Sequence, residues 1–423
     1  MPKPNHNLYT VPMQEQSRYA VGIDIGTTTV RCVVGHIDST TGAPKIVGVG
    51  QSANSGMRKG VVSHLTGPAA AIDAALAEAE RMSGHQVDGA TLSINGSHIV
   101  STKSDGMIAV GTQDHEVTAD DLARIEEVAT TGKVPLNREV LEIVPHAYRL
   151  DGQDNIKDPI GMSGTRLEIH ANIISGLVPH ITNVQKAAEL AKVESRQVVP
   201  AVLTSAQAVL NESQMENGVA VIDLGGATTG VAVFEEGDLQ YVAVVPFGGV
   251  NVTNDIAIGL KVDPEIAEQV KLAHARLTNN SASEKVEITY EKTKYSFNRH
   301  EVDEIVEARY EEIFEAVAKE LKKAGCAGKL PSGVVLTGGG AHVQGIVEFA
   351  KAQLEVAAKI GMPTGYAGVS EEAERPEFAA AVGLMLADSV GAESAVGSGK
   401  GGKTEGVTKK VGGLLSNLMA KFK

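Results

Sequence analysis

An aspartate closing an apolar run, followed by glycine and hydroxyl residues, occurs twice in this chain. The first copy is Val21-Gly-Ile-Asp-Ile-Gly-Thr-Thr-Thr-Val30, and the second is Val219-Ala-Val-Ile-Asp-Leu-Gly-Gly-Ala-Thr-Thr-Gly230. Such turns bring backbone N–H groups and hydroxyls against a phosphate chain. Two of them facing each other would form a clamp. Asp24 and Asp223, one from each side, would hold Mg²⁺ through its waters, because this ion keeps several waters rather than accepting a full protein cage. A third run, Val334-Val-Leu-Thr-Gly-Gly-Gly-Ala-His342, delivers Gly338, Gly339 and Gly340. Three glycines permit close backbone approach, which suits the adenosine and α-phosphate end of a nucleotide. The three segments together predict a bilobal nucleotide-binding protein.

The elements that must position these turns are legible at low resolution. Residues 18–50 read as strand, turn, strand, Gly-rich turn and strand. Pro68–Arg81 has helical spacing, and Thr91–Val100 alternates like a strand. Residues 91–176 change character and read as an inserted α+β unit. In it Thr118 would cap a helix with acids in its first turn, and strands would cover Val140–Tyr148 and Arg166–Ile174. Val198–Leu203 reads as a strand, Ser205–Glu216 as a helix, and Gly333–Thr337 as a buried strand. Asn251–Gly259, Glu265–Leu277 and Glu301–Lys323 read as helices, and Pro376–Leu386 as the last core helix.

Composition narrows the function. The 423 residues suffice for two or more domains with their own cores. A net charge of −14, no Trp and few aromatic residues argue against a nucleic-acid partner. Two cysteines, Cys32 and Cys326, lie far apart in sequence and suggest neither a disulfide nor a metal site, which fits a reducing compartment. Residues 1–17 lack the apolar core of a signal peptide and read as a disordered arm. No run is long enough to span a membrane.

The order of these segments resembles the superfamily of actin, DnaK-type chaperones and sugar kinases. Thr204-Ser-Ala-Gln-Ala-Val-Leu210 and Pro376-Glu-Phe-Ala-Ala-Ala-Val-Gly-Leu384 match its two connecting helices. Ala267-Glu-Gln-Val-Lys271 resembles its Glu-x-x-Lys, so Glu268 and Lys271 would contact adenosine and ribose. The resemblance implies that Gly26, Thr27, Thr28, Thr29, Gly225, Gly226, Thr228 and Thr229 bind phosphate beside the two aspartates. Gln207 stands where actin carries its water-orienting glutamine.

Within the superfamily, the chain is similar to the bacterial cell-division family FtsA over residues 18–388. Ser93-Ile-Asn-Gly-Ser-His98, Val117-Thr-Ala-Asp-Asp121, Ile143-Val-Pro-His-Ala-Tyr148 and Ile156-Lys-Asp-Pro-Ile-Gly-Met-Ser-Gly164 resemble its inserted subdomain. Pro246-Phe-Gly-Gly-Val-Asn-Val-Thr-Asn-Asp-Ile-Ala257 also matches and adds Gly248 and Gly249 to the nucleotide site. That family usually carries Glu in place of Gln207, so weak or no ATPase activity is expected. The resemblance implies an actin-like fold of two RNase H-like domains. The first lobe would comprise residues 18–90, 177–215 and 360–388, and the second residues 216–359 with a peripheral unit at 278–330. It also implies ATP and Mg²⁺ as ligands, head-to-tail self-assembly, contact with other division proteins, and capture of the C-terminal peptide of FtsZ at residues 278–312. Arg299 and Arg309 are the candidates to meet that acidic peptide. A pilus-assembly adaptor and a small-molecule kinase of the same superfamily are the alternatives.

The last stretch carries its own physical signal. Residues 389–410 read as a flexible linker. From Lys400 onward six lysines face one glutamate, a local charge of +5 that leaves −19 on the rest. On a helix over 411–423, Val411, Leu414, Leu415, Leu418, Met419 and Phe422 share one face, with Ser416, Asn417 and Lys421 opposite and Lys423 at the end. A short basic amphipathic helix on a linker predicts a peripheral anchor on an anionic membrane surface. One copy would bind weakly, and many copies on a filament far better. Together with the resemblance to the cell-division family, which implies the division site, this leads us to expect the chain at the cytoplasmic face of the cell membrane.

Overall fold

The structure, a computed structural model, describes residues 18–38, 42–111, 114–278, 284–368 and 370–396, with side chains as far as residue 390. The amphipathic segment 411–423 and most of the linker lie outside the described residues. No described helix is long and apolar enough to cross a membrane.

The two aspartate turns each end the first strand of a five-stranded sheet, and the two sheets share one plan. In the first lobe the order is Glu194–Pro200, Gly89–Ile94, Arg18–Ile25, Thr29–Ile37, Pro44–Ala53. The last three are antiparallel and the first two run parallel to Arg18–Ile25. In the second lobe the order is Asp238–Val245, Thr229–Glu235, Val219–Leu224, Val334–Thr337, Ala358–Ile360. Again an antiparallel meander continues into parallel strands. Parallel pairing forces each strand to enter from the same end, so Asp24, Asp223 and the Gly338 turn all emerge at strand C-termini. One apolar cluster runs from the first-lobe sheet into one face of the second, through Val219, Val221, Phe234 and Val335, and a second cluster fills the other face of the second lobe.

Two helices, Ala201–Val209 and Ala379–Val396, cross between the lobes. Their approach depends on Gly383, where a Cβ would lie 1.8 Å from the Thr204 carbonyl oxygen. Helix Ala379–Val396 runs past the expected linker start at residue 389. Its Asp388 is 4% exposed and accepts hydrogen bonds from Val21 N (2.8 Å), Thr91 Oγ1 (2.9 Å) and Arg196 Nη1 (2.6 Å). This buried carboxylate fixes the helix to the strand that carries Asp24.

The inserted unit is a four-stranded sheet, Val100–Ala109, Arg166–Leu177, Arg138–Leu150 and Gln153–Ile156, backed by helix Ala119–Thr130. Thr118 and Asp121 form the expected cap, a reciprocal capping box. Three expectations differ in detail. The run at 91–100 divides into Gly89–Ile94 and Val100–Ala109, broken by a turn at Gly96 with φ of 117°. The strand expected at Val198–Leu203 is Glu194–Pro200, and the helix starts at Ala201. The helix expected over Ser205–Glu216 is instead two, Ala201–Val209 and Glu212–Asn217. Residues 198–206 are buried throughout, so no exposed face marks the change from a two-residue to a 3.6-residue period.

Candidate nucleotide site

The three Gly-rich turns meet around one cavity of about 450 Å³. Asp24 and Asp223 stand at its base, and Gly26, Thr27, Thr28 and Thr29 line one wall. Gly225, Gly226 and Thr228 line the facing wall, and Gly249, Glu268, Lys271, Gly338, Gly339 and Gly340 complete the lining. The two aspartate turns are in contact: a Cβ on Gly226 would lie 2.6 Å from Thr28 Oγ1. Gly338 adopts φ of 80°, and a Cβ there would lie 2.4 Å from Asp223 Oδ1. Only glycine therefore serves at this position.

Each turn is held by neighbours. Asn54 donates its Nδ2 to the Gly26 carbonyl at 2.6 Å, and its N–H to the Thr28 carbonyl at 2.8 Å. The Thr27 hydroxyl accepts from Gly60 N at 3.1 Å. In the second turn the carbonyls of Gly225 and Gly226 accept from Gly249 N and Val250 N at 3.0 and 2.6 Å. The start of helix Gly249–Leu260 is thereby clamped to the turn.

Electrostatics single out the two aspartates. Burial pushes the Asp24 carboxyl above its ordinary range, while the Ser93 hydroxyl and the Arg31 charge pull it back. Burial also pushes Asp223 up to about 6, a Ser205 hydrogen bond of 2.7 Å opposes this, and Asp24 adds to it. The upward shifts mean that Arg31 and the hydroxyls do not supply enough positive potential to hold both carboxylates ionised. A hydrated dication fits that deficit. Among the described residues no group of three or more His, Cys, Asp or Glu could enclose a metal, so an ion here would complete its shell with water and phosphate oxygen.

Elsewhere in the lining, Lys271 Nζ lies 2.7 Å from Glu268 Oε2, 2.9 Å from Thr253 Oγ1 and 3.3 Å from the Gly249 carbonyl. Thr253 also bonds Glu268. One turn of helix separates Glu268 from Lys271, so both reach the same wall.

Three expected site residues stand outside the cavity wall. Thr229 is fully buried and donates its hydroxyl to the Phe247 carbonyl at 2.9 Å. Gly248 supports the second turn, and its N–H donates to Asn251 Oδ1 at 3.0 Å. Gln207 lies on helix Ala201–Val209 but does not line the cavity. Ser205 from that helix reaches Asp223, and a residue two positions on points roughly 200° away.

Other groups were not singled out from sequence. Ser205 lay inside the connecting-helix string, but only the fold shows its direction. Arg31 lines the cavity with its guanidinium 5.4 Å over the Phe378 ring and its Nε buried without a hydrogen-bond partner. Asn54 had no sequence signal.

Arg299 and Arg309 face inward. Arg309 binds Asp255 (3.1 Å from Nη2) and Glu312 (2.6 Å), and Arg299 donates to the His274 carbonyl at 2.9 Å and lies 3.8 Å from Asp303. Their side chains are 17% and 13% exposed. They tie helix Arg299–Lys323 to its neighbours rather than presenting free charge to a peptide.

Comparison with known proteins bears on this geometry. The family model for cell division protein FtsA matches residues 220–383, and that for the SHS2 domain inserted in FtsA matches residues 96–175. The chain is 33% identical over 376 residues to the cell division protein FtsA of Pseudomonas aeruginosa, covering 88% of this chain and 89% of that one. It is 35% identical over 369 residues to its counterpart in Bacillus subtilis, covering 86% and 82%. With that of Escherichia coli K12 it shares 31% over 412 residues, covering 95% and 96%. Among solved structures, the PilM–PilN type IV pilus biogenesis complex matches with a TM-score of 0.63 at 15% identity, over 88% of this chain and 98% of that one. MreB5 of Spiroplasma citri bound to ADP matches with a TM-score of 0.54 at 13% identity, over 90% and 99%. The fold is therefore actin-like, with the insertion at the expected place.

Proposed function

The chain belongs to the FtsA family of cell-division proteins, and from that premise we propose that it is an ATP-binding, actin-like adaptor that joins FtsZ filaments to the cytoplasmic membrane. The observation that carries the nucleotide reading is the meeting of three Gly-rich turns and two buried carboxylates around one cavity. ATP would place its β- and γ-phosphates between the aspartate turns. Mg²⁺ would sit between Asp24 and Asp223 through water and neutralise phosphate charge. Gly338, Gly339 and Gly340 would take the α-phosphate and adenosine, and Glu268 and Lys271 the ribose. The ADP of the MreB5 structure supports a nucleotide in this fold.

Nucleotide held by both lobes favours their closure, and closure favours head-to-tail assembly at the division site. The inserted unit would make the longitudinal contact or receive other division proteins. The FtsZ C-terminal peptide would dock on the unit at 278–312, away from the internally paired Arg299 and Arg309. Leu414, Leu415, Leu418, Met419 and Phe422, with Lys421 and Lys423, would enter an anionic lipid surface. Weak or no hydrolysis is expected, because Gln207 stands outside the cavity wall.

Co-sedimentation with anionic liposomes tests the adaptor reading. The full chain should pellet with vesicles, more strongly with ATP and Mg²⁺, and a chain ending at Gly406 should stay soluble. Equal pelleting of both forms, or of neither, would remove the anchor from the account.

A further inference from the structure

Beside the nucleotide cavity, an apolar trough lies where residues 341–348 of the second lobe meet residues 360–376. It consists of two pockets of about 290 and 600 Å³ that share His342, Met362 and Pro376. Ile360 and Met362, 36% and 52% exposed, put apolar surface into it. Glu348, Glu371 and Glu374 stand on its rim beside Arg375, and all four are exposed. Its floor is apolar, and its rim carries more acidic than basic side chains. It complements a basic amphipathic helix, which buries its apolar face in a groove and leaves its lysines to the rim.

The chain itself holds such a segment within reach. The trough lies at Pro376, just before helix Ala379–Val396. That helix has 18 residues and spans roughly 27 Å at 1.5 Å per residue. Residues 397–410 can extend roughly 46 Å at 3.3 Å each, enough to return residues 411–423 along the helix to its start. Lys409, Lys410, Lys421 and Lys423 supply charge opposite to that of the rim.

We propose that, in the absence of lipid, residues 411–423 dock in the trough formed around His342, Met362 and Pro376. The trough and the membrane then compete for the same apolar face. A chain with its tail docked binds lipid more weakly by the fraction of time the tail is sequestered. His342 also lines the nucleotide cavity, so the docked tail would touch a wall of that site. The inference rests on the amphipathic reading of the tail, but its first test uses no lipid and is independent of the anchor.

The first test places p-benzoylphenylalanine at Leu415 of the full chain and maps photo-cross-links by mass spectrometry without vesicles. Cross-links within one chain to residues 342–376 are expected. Cross-links elsewhere, between two chains, or absent altogether would overturn the proposal. The second titrates vesicles of phosphatidylglycerol and phosphatidylcholine with the full chain and its Glu371→Lys/Glu374→Lys variant. Reversal of the rim charge should release the tail and raise apparent vesicle affinity at least threefold, with an unchanged melting temperature. Unchanged or weaker vesicle binding by a variant of native melting temperature would contradict docking.

Discussion

Asp223 shows how one residue sets two opposing demands. Its folded pKa of about 6 lies above the ordinary 3.8, chiefly through burial. Between those values the folded chain keeps a proton that the unfolded chain has released. The contribution of Asp223 to the stability of the nucleotide-free protein therefore falls as pH rises from about 4 to about 6, and is lost above 6. Asp223→Asn removes the buried charge. We expect the melting temperature without nucleotide at pH 7.5 to rise by about 3 °C or more, and affinity for Mg²⁺–ATP to fall about 10-fold. Calorimetry and nucleotide titration at pH 5 and 7.5 check both signs. Ser205 offers a second test, because its hydroxyl is the hydrogen bond that opposes Asp223's upward shift. Ser205→Ala should weaken ATP binding by about 5-fold, whereas Gln207→Ala should leave it within about twofold. The reverse ranking, read by equilibrium titration, would restore Gln207 to the site. Sequence pointed to the glutamine because its string matched a known helix. It could not tell which face of a helix buried nearly all round turns to the cavity.

At the scale of elements, the aspartate and glycine turns were readable because each combines an apolar strand with a sharp change to small residues. Their supports were not. Asn54 and Arg31 act across loops and sheets, and only the completed first-lobe sheet brings them to the turn. The start of the Ala201–Val209 helix was also hidden, since burial on all sides erases periodicity. That helix packs closely on its crossing partner, Ala379–Val396, at Gly383. Gly383→Ala would drive a methyl into the Thr204 carbonyl. Backbone cannot yield as a flexible side chain can, so the variant should lose about 3 kcal/mol. Thermal melting should drop by roughly 6 °C or more. A melting temperature within about 1 °C of the parent would show that the helices separate easily, and the close packing at Gly383 would not be a source of stability.

For the whole molecule, two lobes of one topology face each other across a cleft, and an extra domain occupies residues 96–175. The duplication was visible in sequence because both copies keep the same turn. The internal ion pairs of Arg299 and Arg309 were not, because a charged helix reads the same whether its arginines face solvent or a neighbouring helix. In the proposed function, nucleotide held by both lobes is the step from which closure, assembly and cooperative membrane attachment would follow. Its most direct test is equilibrium binding of ATP to the full chain, with and without Mg²⁺, beside an Asp24→Asn/Asp223→Asn variant. Both substitutions relieve buried charge, so the variant should melt no lower than the parent. We predict saturable binding by the parent that strengthens with Mg²⁺, and loss of the Mg²⁺-dependent part in the variant. No binding by the parent, or equal Mg²⁺ dependence in a folded variant, would contradict a metal-assisted nucleotide clamp at these two turns.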